Sequence, residues 1–188
     1  METSHRKAGR VVFLDRDGVI NKPPPEGSWV FRWEEFEFAD GALEALRRLH
    51  EEGFAAVVVT NQSCVGRGLA TLEEVEAINA RMREAVAAAG GHLEAVYVCP
   101  HTDADDCPCR KPRPGLLDRA AEELGVALEG CFMVGDSERD IAAGKARGCT
   151  AILVGERSPG SQADYFAAGL AEAVELIVEL AARDRMPE

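Results

Sequence analysis

Val11-Val12-Phe13-Leu14-Asp15-Arg16-Asp17-Gly18 sets the architecture of this chain. Its apolar run is too short for a helix and lacks polar alternation, which predicts a strand buried on both faces of a parallel sheet. Asp15 and Asp17 then project to the same side at the carboxyl end of this strand, where open α/β sheets bind ligands. Two acids so close are costly to ionise together without a cation, and Mg²⁺ prefers oxygen ligands. The alternative is a strand-end turn with two solvated acids.

The composition predicts a single folded domain with an acidic surface. The chain has 188 residues, is 46% apolar and carries a formal charge of −12. This charge argues against a nucleic-acid partner, and no apolar run is long enough to span a membrane. The polar residues 1–10 lack a signal-peptide core. We therefore expect a cytoplasmic monomer with one domain over 1–188, a core at about 11–183 and a small metabolite as its partner.

Strands and helices alternate along the chain. After the first strand, we expect strands at 54–60, 94–98, 131–135 and 150–154, and helices at 41–53, 72–89, 114–124, 138–147 and 170–183. Loops are expected at 22–27, 61–68, 99–114 and 155–163, and a frayed tail at 184–188. This pattern predicts an α/β fold with a doubly wound parallel sheet.

Two further strand ends carry polar side chains. Thr60 and Asn61 follow the second strand and can bind phosphate oxygens without adding charge; alternatively, they bond their own backbone in a turn. Asp136 follows the fourth predicted strand, 131–135, and is a candidate Mg²⁺ ligand. Asp140 lies one helical turn further on, where it either supports the metal site from behind or serves only as a first-turn acid.

Arg110-Lys111-Pro112-Arg113 is the densest basic cluster in this acidic chain. Lys111 can neutralise a bound phosphoryl group as a point charge, and Arg110 can bind a second anionic group with two parallel hydrogen bonds. A solvated basic patch is the alternative. The prolines fix the backbone and hold the cations together, which favours a binding role.

Cys99, His101, Cys107 and Cys109 have the spacing of a metal site. Three thiolates and one imidazole are typical of a closed, tetrahedral structural Zn²⁺ site, which offers no open position for catalysis. Such a site would hold the loop at 99–112 and orient Arg110 and Lys111. A disulfide between Cys107 and Cys109 is the alternative, although so tight a ring would be strained.

The polar strand ends and the basic cluster together resemble the four ordered motifs of the haloacid dehalogenase superfamily. These are Asp15-Arg16-Asp17-Gly18, Thr60-Asn61-Gln62-Ser63, Arg110-Lys111-Pro112 and Gly135-Asp136. The Cys/His loop narrows the resemblance, over residues 11–180, to the small zinc-containing phosphatases that act on heptose bisphosphates or histidinol phosphate. Only 42 residues separate Asp17 from Thr60, and 50 separate Thr60 from Lys111, so we expect a Rossmann-like fold without an inserted cap domain.

The resemblance implies a role for each motif. Asp15 would be the nucleophile that becomes an aspartyl-phosphate, and Asp17 would protonate the leaving alkoxide and later activate water. Asp15, the backbone carbonyl of Asp17, and Asp136 would bind Mg²⁺, while Thr60 and Lys111 would hold the transferred phosphoryl group. The further phosphate- or substrate-binding residues that we expect are Asn61, Gln62, Ser63, Arg67 and Arg110.

The implied activity is a Mg²⁺-dependent phosphatase, and the choice of substrate is open at this point. The segments 60–68 and 110–115 are similar to those of the heptose bisphosphate enzymes and predict removal of the C7 phosphate. The short zinc loop and Pro23-Pro24-Pro25 are more similar to the histidinol-phosphate branch. A third hypothesis is an inactive binding module whose loop is held by zinc. The complete set of acids, Asp15, Asp17 and Asp136, argues against it.

Overall fold

A computed structural model describes residues 10–157 and 159–183. It contains one six-stranded parallel sheet in the order β3-β2-β1-β4-β5-β6. The strands are β1 Val11–Leu14, β2 Ala55–Asn61, β3 Leu93–Cys99, β4 Phe132–Gly135, β5 Thr150–Val154 and β6 Tyr165–Ala167. The helices are α1 Ala42–Glu51, α2 Ser63–Gly66, α3 Leu72–Ala88, α4 Gly115–Leu124, α5 Glu138–Lys145 and α6 Leu170–Arg183. The expectations for 1–9 and 184–188 lie outside the described residues.

Helices cover both faces of the sheet, as the apolar strands require. Val12 and Leu14 pack with α1, α3 and α6 on one face, whereas Val11 and Phe13 pack with α4 on the other. All four strand residues are at most 1% exposed. This alternation within one strand confirms the predicted doubly wound α/β fold.

Local sequence signals account for several element ends. Thr71 Oγ1 accepts from the Glu74 backbone N–H at 3.2 Å, and Glu74 Oε2 accepts from the Thr71 N–H at 2.7 Å, which is the predicted capping box of α3. Gly125 ends α4 with a φ of +65°, a conformation that glycine adopts without strain. Pro114 precedes α4 as its N-cap rather than forming its first residue as predicted.

Two short elements differ from the sequence prediction. β6 is a three-residue edge strand that pairs with β5, and α2 is a single turn inside the predicted loop 61–68. Both elements are too short to show a periodic apolar pattern, so tertiary contacts determine their conformation. Trp33 and Phe36 stack with ring centroids 5.1 Å apart, so these two aromatics pack against each other in the segment after β1.

The sheet order places β2, β1 and β4 side by side at the centre, so their carboxyl ends meet at one edge. Residues 15–41, all of which are described, contain a single short 3-10 helix, Trp33–Glu35, between β1 and α1. This connection holds no inserted cap domain, as expected. None of the helices in the described ranges is long and apolar enough to cross a membrane.

Candidate active site

The carboxyl ends of β1 and β4 bring a group of acids together. Asp15 and Asp136 each follow one of these strands, and Asp140 lies in the first turn of α5. One carboxylate oxygen from each lies within 4.8 Å of the others. At Gly18, where φ is +82°, an added Cβ would lie 1.9 Å from Asp136 Oδ2, so glycine is needed for this close approach. The donor set is all oxygen and therefore fits a hard cation such as Mg²⁺.

Lys111 is the cation that the protein itself places against these acids. Its Nζ lies 2.8 Å from Asp15 Oδ1 and 2.6 Å from Asp140 Oδ1, and its side chain is 2% exposed. It also donates to the Val59 carbonyl at 2.7 Å. An ammonium group has three N–H donors, so these acceptors use all of them.

The buried charges shift one another's pKa values. Burial raises the pKa of Asp15 to about 7, because Lys111 offsets only part of the cost and Asp140 adds repulsion. Desolvation and Asp140 raise the pKa of Asp136 to about 6. Burial opposes the charged form of Lys111, but Asp140 and Asp15 outweigh it and raise the pKa of Lys111 above its ordinary value. The raised acid pKa values indicate a site that is short of positive charge.

The Asp17 carboxylate lies outside this acidic group and is held by three donors. Arg16 Nη2 lies 3.1 Å from both of its oxygens, Asn21 Nδ2 donates at 2.9 Å, and Gln62 Nε2 donates at 2.7 Å. All three donor residues are fully buried. The Asp17 carboxylate is therefore bound by donors of the protein itself. Its place in a common pocket with Asp15 and a metal contact from its backbone carbonyl stay predictions.

The polar residues after β2 make contacts within the protein. Asn61 Oδ1 accepts from the Lys111 backbone N–H, and its Nδ2 donates to the Lys111 carbonyl, both at 3.1 Å. Gln62 Nε2 also donates to Thr60 Oγ1 at 3.0 Å. Because buried polar groups need partners, these amides hold Lys111 and Asp17. The phosphate contacts expected of Asn61 and Gln62 stay a prediction. Thr60 and Ser63 are 1% and 7% exposed.

Cys99, His101, Cys107 and Cys109 form a compact cluster beyond the end of β3. The sulfur atom of Cys109 lies 3.3 Å from Cys99 Sγ, 3.4 Å from Cys107 Sγ and 3.3 Å from His101 Nδ1. Cys99 Sγ lies 3.6 Å from His101 Nδ1 and 3.7 Å from Cys107 Sγ. Tetrahedral zinc with bonds of about 2.0–2.3 Å places its ligands about 3.5 Å apart, so the donor set fits Zn²⁺. The three cysteines of the cluster are free, so the Cys107–Cys109 disulfide is not formed.

The two arginines predicted to bind substrate lie in different segments. Arg110, whose side chain is 13% exposed, donates from Nε to Asp103 Oδ1 at 2.9 Å and from Nη1 to the His101 carbonyl at 3.2 Å. The Arg67 guanidinium lies 5.5 Å from the centre of the Trp29 ring. This cation–π contact joins the segment after β2 to the segment after β1.

Sequence reasoning missed several residues that support this site. Arg16 and Asn21 hold Asp17, and Asp103 and Arg139 form an ion pair with an N–O distance of 2.9 Å. Arg16 carried a usable signal, because an arginine between two acids in a buried segment needs a carboxylate partner. The Asp103–Arg139 pair carried none, because its members are 36 residues apart.

A central group of acids and a buried lysine at the edge of a doubly wound sheet define a hydrolase of the haloacid dehalogenase type, and residues 108–173 match the family of HAD-hydrolase-like proteins. D-glycero-beta-D-manno-heptose-1,7-bisphosphate 7-phosphatase from Pseudomonas aeruginosa is 41% identical over 144 residues, which cover 77% of this chain and 80% of the relative. The enzyme of that name from Bordetella bronchiseptica is 36% identical over 92% of this chain and 94% of its own. The chain belongs to the family of these heptose bisphosphate phosphatases.

A solved structure agrees with this assignment over nearly the whole chain. D,D-heptose 1,7-bisphosphate phosphatase from B. bronchiseptica, complexed with magnesium and phosphate, superimposes with a TM-score of 0.82 at 33% identity. The match covers 91% of this chain and 99% of that one. The similarity therefore extends through the fold as well as the motifs.

Proposed function

We propose that this chain is a Mg²⁺-dependent phosphatase that removes the C7 phosphate of heptose 1,7-bisphosphate through an aspartyl-phosphate. The observation that carries the proposal is the convergence of Asp15, Asp136 and Asp140 with Lys111 Nζ at the end of β1 and β4. The names of the relatives support the choice of substrate. We also propose that the chain is cytoplasmic, in keeping with its six unlinked cysteines, and that it is a monomer.

Asp15 and Asp136, with the backbone carbonyl of Asp17, would hold the Mg²⁺ ion. Asp140 is proposed as their support, since its Oδ2 accepts from the Ser137 hydroxyl at 2.7 Å and its Oδ1 contacts Lys111. The ion would neutralise charge on the equatorial oxygens of the phosphoryl group. The magnesium and phosphate complex of the relative from B. bronchiseptica supports this part of the proposal.

Asp15 is proposed as the nucleophile that attacks the C7 phosphorus. One Asp15 oxygen forms the new P–O bond while the bond from phosphorus to the sugar oxygen breaks. Lys111, fixed by Asp140 and the Val59 carbonyl, carries the positive charge beside the developing negative charge. The Thr60 hydroxyl, at the neighbouring strand end, is proposed to donate to a phosphoryl oxygen, with Ser63 next to it.

Asp17 is proposed to give a proton to the leaving sugar oxygen and then to take one from the water that hydrolyses the aspartyl-phosphate. General acid–base catalysis requires the carboxyl group to be held in one position. Gln62, Asn21 and Arg16 supply that restraint through the hydrogen bonds described above. The second phosphate of the substrate is proposed to lie towards Arg67 and Arg110.

The cluster of three cysteines and His101 is proposed to bind a structural Zn²⁺ ion. Its four donors would fill a tetrahedron around the ion and leave no position for water or substrate. The loop that it holds continues directly into Arg110 and Lys111. The ion would therefore act on catalysis only by keeping this loop in place.

Cys107→Ser is expected to lose the zinc and to lower the free energy of unfolding by about 2–5 kcal/mol, comparable to the loss of a disulfide. Metal content by elemental analysis and thermal unfolding measure the two effects. Cys131→Ser changes a buried cysteine outside the cluster and should keep the zinc. Equal zinc content in the Cys107→Ser variant and the wild type would contradict this part of the proposal.

A substrate panel tests the proposed activity. We expect kcat/KM for heptose 1,7-bisphosphate to exceed the values for fructose 1,6-bisphosphate and histidinol phosphate by at least about tenfold, because discrimination by a polar site that matches its ligand is typically that large or larger. Phosphate release is measured with and without Mg²⁺, and turnover is expected only with it. A preference for histidinol phosphate would overturn the assignment of substrate, and no turnover of any phosphate ester would favour the binding module.

A further inference from the structure

A second ionic contact lies beside the Lys111–Asp140 pair. It involves Arg110 and Arg139, the residues that precede Lys111 and Asp140 in the chain. Asp103 Oδ1 accepts from Arg110 Nε and from Arg139 Nη1, both at 2.9 Å. Because Arg110 precedes Lys111 and Arg139 precedes Asp140, the same two segments are joined twice. Both side chains of the Lys111–Asp140 pair are 2% exposed, whereas Asp103 and Arg139 are 60% and 48% exposed. The Asp103 contact therefore lies on the solvent side of the buried pair.

The three residues of this outer contact carry a net positive charge. Two guanidinium groups, of Arg110 and Arg139, share the single carboxylate of Asp103. The contact therefore has one positive charge in excess. The chain as a whole has a formal charge of −12, and Lys111 is already matched by two acids. An anion near the site thus finds local attraction at Arg110 and Arg139.

The two guanidinium groups differ in how firmly they are held. Arg110 is 13% exposed and also donates to the His101 carbonyl, so its position is fixed. Within the described ranges, Asp103 is the acceptor found for Arg139. A guanidinium group has five N–H donors, so Arg139 keeps donors for a ligand. A phosphate with up to two negative charges matches two guanidinium groups better than a single carboxylate does.

We propose that Arg139, together with Arg110, binds the second phosphate of the bisphosphate substrate and is thereby a specificity-determining residue. This inference rests on the proposed function, in which the reacting phosphate lies at Asp15. A substrate with a single phosphate has no group for the two arginines. Removing Arg139 therefore weakens binding of the bisphosphate selectively.

The test compares Arg139→Gln with the wild type on heptose 1,7-bisphosphate and on p-nitrophenyl phosphate, which has one phosphate. For the bisphosphate, KM is expected to rise about tenfold while kcat changes by less than about twofold, because the lost contact is made equally in the ground and transition states. Both parameters for p-nitrophenyl phosphate are expected to stay within about twofold of the wild type. This split between substrates is one that a purely structural role would not produce.

Arg147→Gln is the matched control. Arg147 lies just beyond the other end of α5, pairs with Asp118 and is 41% exposed, so the substitution removes the same charge and a similar ion pair. Equal effects of both variants, or equal losses on both substrates, would overturn the inference. If the wild type prefers the bisphosphate and Arg139→Gln keeps that preference, the inference is wrong but the proposed function stands. A wild type without any such preference overturns the proposed function and this inference with it.

Discussion

Asp15→Asn is expected to abolish turnover, with kcat falling on the order of 10⁴-fold or more. An amide is a far poorer nucleophile than a carboxylate and cannot form the acyl phosphate at a useful rate. The fold should persist, because the substitution removes a carboxylate whose burial raises its pKa to about 7. Lys111 keeps Asp140 and the Val59 carbonyl as partners. Phosphate release measures the activity, and thermal unfolding measures the stability.

Asp118→Asn is the matched control for this prediction. It makes the same chemical change at an acid that pairs with Arg147 and is 42% exposed. Because exposed ion pairs contribute little to stability, activity and unfolding temperature should both stay near the wild-type values. An Asp15→Asn enzyme that keeps more than about 1% of the wild-type kcat, free of contaminating phosphatase, would exclude Asp15 as the nucleophile.

Lys111→Met is expected to lower kcat/KM by about 10²–10³-fold, the range seen when one stabilising charge or donor is removed from an active site. It should also lower the free energy of unfolding by about 3–5 kcal/mol without divalent cations, because Asp15 and Asp140 lose their buried counter-charge. On the proposed function, Mg²⁺ would supply positive charge at the same acids. The cation should therefore raise the unfolding temperature of the variant more than that of the wild type.

Lys145→Met provides the comparison for Lys111→Met. Lys145 pairs with Asp164, but its side chain is 41% exposed, so its loss should cost no more than about 1 kcal/mol. It lies at the far end of α5 from Asp140 and should leave kcat/KM unchanged. If Lys111→Met is no less stable than Lys145→Met without Mg²⁺, Asp15 at the end of β1 and Asp140 at the start of α5 do not depend on Lys111 for their charge balance.

The parts of the site that lie on strand ends were predictable from the sequence. Parallel strands with apolar runs must end at one edge of the sheet, so the sequence alone places Asp15, Thr60 and Asp136 together. The Cys/His loop was equally readable, because ligand spacing and chemistry are local properties of the sequence.

The side-chain directions at the ends of β1 and β2 were not predictable. Asn61 and Gln62 have the chemistry of phosphate ligands, yet their amides bond to the Lys111 backbone and to Asp17. Whether an amide at a strand end faces a ligand or a neighbouring segment depends on which segment packs beside it. That neighbour comes from a loop about 50 residues later, and no local pattern announces it.

The contact between Lys111 and Asp15 spans 96 positions along the chain. A short stretch of the chain that collapses early cannot contain both Lys111 and Asp15. The parallel strand pairs that bring these two residues together also join distant parts of the chain. Chains dominated by distant contacts fold slowly, because closing each long loop costs conformational entropy before the contact it allows can stabilise the chain. We therefore expect helical ellipticity to return before catalytic activity during refolding, because activity needs this long-range contact.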